Sequence, residues 1–290
     1  MKTLRITGVP EHFNFPWKKV IASQPFLKNG IELKWTDESR GSGQMNKALR
    51  EDQTDIAILL TESFLKDFEA GNPSKMIGYH VKSPLIWGIH IDAGSPVTTT
   101  KEIEQPKFLI SREGSGSQLM AFELAQKEDW KNESLKFKVI NNLVGALEVM
   151  HPEDPEMFLW EKYTTKPWVD SNQIKRIGEV ASPWPCFVIA ASNSALKEFG
   201  EIIFELRQLV YEASNSLQKS ETAVLDIADV YKLKAEDVHS WISQTEWETE
   251  AKVSKSTLES AISKMVELKI LSRELIVQEF LTIDHLTLLS

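Results

Sequence analysis

Residues 41–62 read GSGQMNKALREDQTDIAILLTE, the succession of elements that makes one α/β unit. A glycine–serine turn opens the stretch. Met45, Ala48 and Leu49 follow at helical spacing, and residues 55–60 then form a near-continuous apolar run. Apolar residues recurring near every 3.6 positions predict a surface helix. A strand apolar at almost every position is one covered on both faces, as strands of parallel sheets are.

The same alternation extends in both directions. Residues 4–9 predict a first strand, 17–23 a helix, 31–35 a second strand, and 85–91 a fourth strand after the apolar run. Beyond Asp92 the composition shifts to AGSPVTTTKEIEQPK, whose prolines, glycine and threonines predict a crossover between lobes. A second set follows, with strands at 108–111, 136–140, 156–160 and 174–180; Gly114 to Ser117 opens a helix, and 145–150 is a short one. SPWPCFVIAAS, residues 182–192, reads as the return crossing running into a strand. From Ala195 the pattern is helical. Ile202, Ile203, Leu206, Leu209, Val210, Ala213 and Leu217 make one apolar stripe, and Leu258, Ala261, Ile262, Met265 and Val266 another. The apolar tail at 275–289 is expected to pack on the body. The predicted fold class is therefore α/β with two lobes, each a mostly parallel sheet flanked by helices, and a helical C-terminal segment. Residues 1–92 plus 187–290 form the first lobe and 93–186 the second, with 92–106 and 182–187 as hinge-side crossings.

Composition narrows the function classes. The 290 residues are 42% hydrophobic and 26% charged, which is ordinary for a globular chain. Forty-two acidic against 33 basic side chains leave a net charge of −9, which argues against nucleic acid or an anionic membrane as the main partner. The single cysteine, Cys186, excludes an internal disulfide framework and a cysteine-cluster metal site, and is read as core packing. The histidines show no metal-ligand spacing, so no metal is expected. No apolar run is long enough to span a bilayer, and the first residues lack the apolar core of a signal peptide. A cytoplasmic location is the expectation; a periplasmic one would need a leader ahead of Met1.

In open α/β sheets ligands sit at the carboxyl ends of strands, so the loops that follow strands are the candidates. Residues 9–17, VPEHFNFPW, combine an acid, a histidine, an amide and aromatic rings. They read either as a ligand loop with Phe13 and Trp17 as walls or as a staple holding the first helix on the sheet. The glycine–serine starts at Ser42–Gly43 and at Ser115, Gly116 and Ser117 recur in matching places of the two lobes. Glycines let backbone N–H groups approach a ligand there, and a helix start favours negative charge.

The whole pattern resembles the type 2 periplasmic-binding-protein family. The residues that carry the likeness are GVPEHFNFPW, the 41–62 stretch, SREGSGSQLMAFELA (111–125), MFLWEKYTTKPWVD (157–170), VYKLKAEDVHSWISQTEW (230–247) and LESAISKMVELKIL (258–271). The chain looks most like the sulfonate, taurine and thiamine-pyrimidine-precursor branch of ABC-transporter substrate-binding proteins, and is similar to a leaderless subgroup of it. The resemblance implies ligand contacts at Pro10, Glu11, His12, Phe13 and Asn14, at Ser42, Gly43, Thr61, Glu62 and Ser83, and in the second lobe at Ser115, Gly116, Ser117, Asn141, Trp160 and Glu161. The implied partners are a small anionic or heteroaromatic molecule in an interlobe cleft and an ABC-transporter permease.

No catalytic constellation, cofactor motif or metal site stands out, so the leading reading is a non-enzymatic binding protein. The alternatives are a ligand sensor and a cytoplasmic enzyme on the same fold, of thiamine-pyrimidine or menaquinone-pathway type. In an enzyme His12 or Glu11 would have to titrate near neutral pH. The fungal thiamine-pyrimidine synthase that this chain resembles in fold carries a cysteine-rich motif, which a single cysteine cannot supply.

Overall fold

The computed structural model describes residues 1–289. Its first pass runs β1 (Lys2–Gly8), α1 (Phe15–Ser23), β2 (Ile31–Asp37), α2 (Ser42–Arg50), β3 (Ile56–Leu60), α3 (Thr61–Glu69) and β4 (Ser74–Val81). There follow β5 (Ile86–Asp92), β6 (Lys107–Ile110), α4 (Gly116–Lys127), β7 (Lys136–Val139), α5 (Leu143–Val149), β8 (Met157–Glu161), α6 (Lys166–Asp170) and β9 (Ile174–Ala181). The return is β10 (Phe187–Ser192), α7 (Asn193–Phe199), α8 (Glu201–Gln218), α9 (Ala223–Tyr231), α10 (Ala235–Ile242), β11 (Lys252–Ser254), α11 (Lys255–Glu267), α12 (Val277–Phe280) and β12 (Thr287–Leu289).

The chain divides into two units. One is Met1–Ser83 with everything from Trp184 onward, and the other is Pro84–Pro183. In the first, five strands are ordered β2-β1-β3-β10-β4; in the second, β7-β6-β8-β5-β9. Each sheet thus repeats one plan, in which the first strand after the chain changes unit is inserted antiparallel beside the third parallel strand. Both sheets are mostly parallel, as expected, and each is mixed by a single reversed strand: β10 runs against β3 and β4, and β5 against β8 and β9. The apolar run reads correctly: β3 lies between β1 and β10 and is buried at Ile56 through Leu59.

The first boundary differs from expectation. The strand at 86–92 belongs to the second unit's sheet, so the first crossing is at Ser83–Pro84, and residues 93–106 lie inside the second unit. An apolar strand declares that it is buried without declaring which sheet supplies its partners. The true fourth strand of the first sheet, β4, carries Ser74, Gly78 and His80 and shows no continuous apolar run. Each unit ties its two ends together: Leu85 N donates to Ser182 Oγ at 3.0 Å in one, and Cys186 N to the Ser83 carbonyl at 3.2 Å in the other.

The core of the first unit includes Leu4, Ile6, Trp17, Met45 and Leu49. In the second, Leu109, Ile140, Ala146, Met150, Phe158 and Ile174 cluster, with Trp160 and Trp168 packed against them. The C-terminal tail packs as expected, with Phe280 and Leu281 buried and Leu281 bridging to Met76 beside β4. Among the described residues no helix is long and apolar enough to cross a membrane.

Candidate functional site

In the first unit the residues singled out by sequence gather at the carboxyl edge of the sheet. After β1 the chain makes a short 3-10 turn, His12–Asn14, and Pro16 sits in the first turn of α1, where its missing N–H costs nothing. Pro10 is exposed and Glu11 half-buried, but His12, Phe13 and Asn14 face inward. Phe13 packs on Phe187 and Trp241 at 5.2 and 5.1 Å, and Trp17 is wholly buried. These rings hold α1 on the sheet, the staple of the two readings of this loop. The Phe13 carbonyl accepts from His80 Nε2 at 2.8 Å and from Trp247 Nε1 at 2.9 Å, while Asn14 Nδ2 donates to the Val9 carbonyl. The loop is pinned by residues of β4 and of the C-terminal third.

His12 stacks on Phe13 and meets Trp241 edge-on at 4.1 Å, and its Nε2 is buried without a hydrogen-bond partner. Burial pulls its imidazole down to about 3, so at neutral pH it is an uncharged ring and not a proton-transfer group. The acid–base role that the enzyme reading assigned to it has no support in this geometry.

The other polar candidates of this unit brace neighbouring backbone. Ser42 Oγ accepts from Leu60 N at 3.0 Å, tying the start of α2 to the end of β3. Thr61 donates its hydroxyl to the Pro185 carbonyl and its amide to that of Cys186. Ser83 Oγ accepts from Glu246 N at 3.0 Å. Glu62 is 1% exposed and its Oε2 accepts from Trp184 Nε1 at 2.8 Å. Burial pushes its carboxyl up to about 7, against the lowering effect of its own backbone amide and of Trp184. Gly43 stays half-buried in the first turn of α2, whose opening amides have no intrahelical acceptor.

The second unit repeats the arrangement. Ser115 is the N-cap of α4, its side chain accepting from Gln118 N. Ser117 lies inside the helix, where its hydroxyl accepts from Ser111 N at 3.1 Å and lies 3.0 Å from Ser115 Oγ. Gln118 laces the preceding loop, accepting from Gly114 N and donating to Glu113. With both hydroxyls turned to the loop, what remains at the start of α4 is backbone: the first-turn amides of Gly116 and Ser117, both buried, have no intrahelical acceptor. Asn141 is exposed, in the left-handed region at φ 67°, ahead of the α5 cap Asn142. Trp160 is half-buried and stacks on Phe158 at 5.2 Å. Glu161 is buried, and its Oε2 accepts from the amides of Tyr163 and Thr164; burial raises its carboxyl. Sequence reasoning missed the residues that position these groups, above all Trp184, Trp241, Trp247 and His80. A tryptophan signals burial in a sequence but not which distant carbonyl its N–H will meet. Among the described residues no three metal-ligating side chains converge.

A family model described as Ca3427-like PBP matches residues 87–180, nearly the whole second unit. The Candida albicans CA3427 gene product, described as exhibiting the generic periplasmic-binding-protein fold, is 25% identical; the match covers 94% of this chain and 92% of that one, at a TM-score of 0.84. This chain has the periplasmic-binding-protein fold. The alkanesulfonate-binding protein SsuA from Xanthomonas axonopodis pv. citri, bound to MOPS, shares the fold at 11% identity, with 97% and 98% coverage and a TM-score of 0.78. PhnD1 from Prochlorococcus marinus, in complex with methylphosphonate, does so at 10% identity, 93% and 99% coverage and a TM-score of 0.61. A comparison with curated proteins gave no match. Proteins of this fold named for solute binding are thus similar to the chain over almost its whole length.

Proposed function

We propose that the chain is a solute-binding protein for a small molecule with a sulfonate- or phosphonate-like head, gripped mainly by backbone amides rather than by side chains. The supporting observation is the start of α4. Ser115 and Ser117 bind one another and Ser117 accepts from the Ser111 amide, so the hydroxyls are taken up by the loop, while the first helical amides have no intrahelical acceptor. Such a helix end carries about half a positive charge and suits an anion. The sulfonate and methylphosphonate named for the two similar proteins are both tetrahedral anionic groups. Delivery of the ligand to an ABC-transporter permease belongs to the same reading.

The test is thermal unfolding and titration with methylphosphonate and ethanesulfonate. A ligand that binds only the folded state stabilises it by about 2.7 kcal/mol at a hundredfold excess over Kd. Ser117→Asp puts a fixed negative charge among the α4 amides and is expected to abolish that stabilisation while the protein still unfolds cooperatively. Full affinity in Ser117→Asp would remove α4 from the binding site.

A further inference from the structure

We infer that Asn29 is a site of spontaneous covalent modification, converting through a ring closed by the Gly30 amide into aspartate and isoaspartate. The inference uses none of the α4 residues and stands apart from the proposed function.

The chemistry needs only this pair of neighbours and water. The Gly30 nitrogen loses its proton and attacks Asn29 Cγ, forming a new C–N bond. Nδ2 takes up a proton and leaves as ammonia, so that the product is a cyclic imide. Water then opens the ring. Hydrolysis of the new bond restores the ordinary peptide with aspartate at position 29. Hydrolysis of the original peptide bond leaves the chain running through Cγ, as isoaspartate.

Of the chain's asparagines, Asn29 alone is followed by glycine. A Cβ on the following residue shields the attacking nitrogen, and glycine has none. Asn29 and Gly30 are both exposed, at the end of a short 3-10 turn, Leu27–Asn29, with Gly30 in the left-handed region at φ 77°. Asn14, Asn46 and Asn72 are instead buried, and each donates to a backbone carbonyl. Asn132, Asn141 and Asn172 are exposed but precede residues that carry side chains. One contact restrains the reaction at Asn29: Gly30 N donates to the Leu27 carbonyl at 3.0 Å. A single surface turn opens at small cost in free energy, which releases that amide.

The product bears on the sheet. The Gly30 carbonyl accepts from Lys2 N at 2.8 Å, just where β1 begins to pair with β2 at Lys2 and Ile31. β2 is an edge strand, and β1 is its one neighbour in the sheet. Isoaspartate inserts an extra backbone carbon between the turn and β2, and so displaces the first pairs of that ladder.

Peptide mapping by mass spectrometry, on the whole chain held at mildly alkaline pH, tests this. Methyl transfer by an isoaspartyl methyltransferase separates isoaspartate from aspartate. Conversion at Asn29 should run about tenfold or more ahead of every other asparagine. Gly30→Ala adds a Cβ that meets nothing within 4 Å, and it should slow the conversion about tenfold. Asn29→Gln should leave the position intact, and the aged wild type should unfold at a lower temperature than this variant aged alongside it. The inference is overturned if Asn29 stays intact, if another asparagine converts as fast, or if Gly30→Ala converts at the wild-type rate. Equal unfolding temperatures after extensive conversion to isoaspartate would overturn the displacement of the β1–β2 ladder.

Discussion

His12 and Glu62 both read from sequence as ligand contacts, and burial has given them opposite dependences on pH. His12 titrates at about 3 in the folded chain against an ordinary 6.5. Its contribution to stability is therefore present above pH 6.5 and is lost as the pH falls toward 3. Glu62 has the other sign. Its folded value of about 7 stands above the ordinary 4.5, so the folded chain holds a proton that the unfolded chain releases. That stabilisation is complete below pH 4.5 and disappears as the pH rises through about 7. Glu62→Gln keeps an oxygen to accept from Trp184 Nε1 and has no proton to lose. Urea unfolding should show the variant more stable than wild type by about 1–3 kcal/mol near pH 8, with the gain vanishing near pH 4. An equal difference at both ends would mean that the Glu62 carboxyl does not titrate in this window.

Helix α8 shows how an element is legible in its period and illegible in its phase. Its amphipathic repeat is plain, yet the buried face is Ile203, Leu206, Arg207, Val210, Tyr211, Ser214 and Leu217, not the wholly apolar stripe that includes Ile202, Leu209 and Ala213. The polar members are drawn in by β4, whose pairing with β10 shifts register twice. Arg207 Nη1 donates to the Ile77 carbonyl at 2.6 Å and Tyr211 Oη to that of Tyr79 at 2.8 Å, on either side of Gly78. Gly78 has φ 151°, and a Cβ there would stand 2.2 Å from Tyr211 Oη. Gly78→Ala should therefore destabilise the protein by about 2 kcal/mol or more, read by thermal unfolding, and pairing it with Tyr211→Phe should recover part of the loss. If Gly78→Ala unfolds like the wild type, the close approach is not what holds α8 to β4. Strand β4 escaped the sequence reading for the same reason: its polar and glycine positions answer to α8 and to the C-terminal segment, which no local pattern records.

At the scale of the molecule, the place where the chain changes unit has a direct consequence. Residues 84–183 contain a complete five-stranded sheet with β5 between β8 and β9. A fragment of residues 84–183 should fold cooperatively alone, whereas 93–186, the division suggested by composition, lacks an interior strand and exposes two unpaired edges. Circular dichroism on heating distinguishes them; equal cooperativity in the two fragments would show β5 to be dispensable. Sequence by itself determined the α/β class, the apolar strand at 56–60, the helix starts after β2 and β6, and the position of the candidate loops at the carboxyl edges. Those features rest on local period, glycine–serine turns and caps, which are written in neighbouring residues. Tertiary structure alone decided which sheet received β5, which face of α8 was buried, and that His12, Ser42, Thr61, Glu62 and Ser117 turn inward to brace the loops. The reason is physical: a strand's partners and a buried group's hydrogen-bond acceptor lie far away in the chain, and the requirement to satisfy buried polar atoms acts only once those distant segments meet.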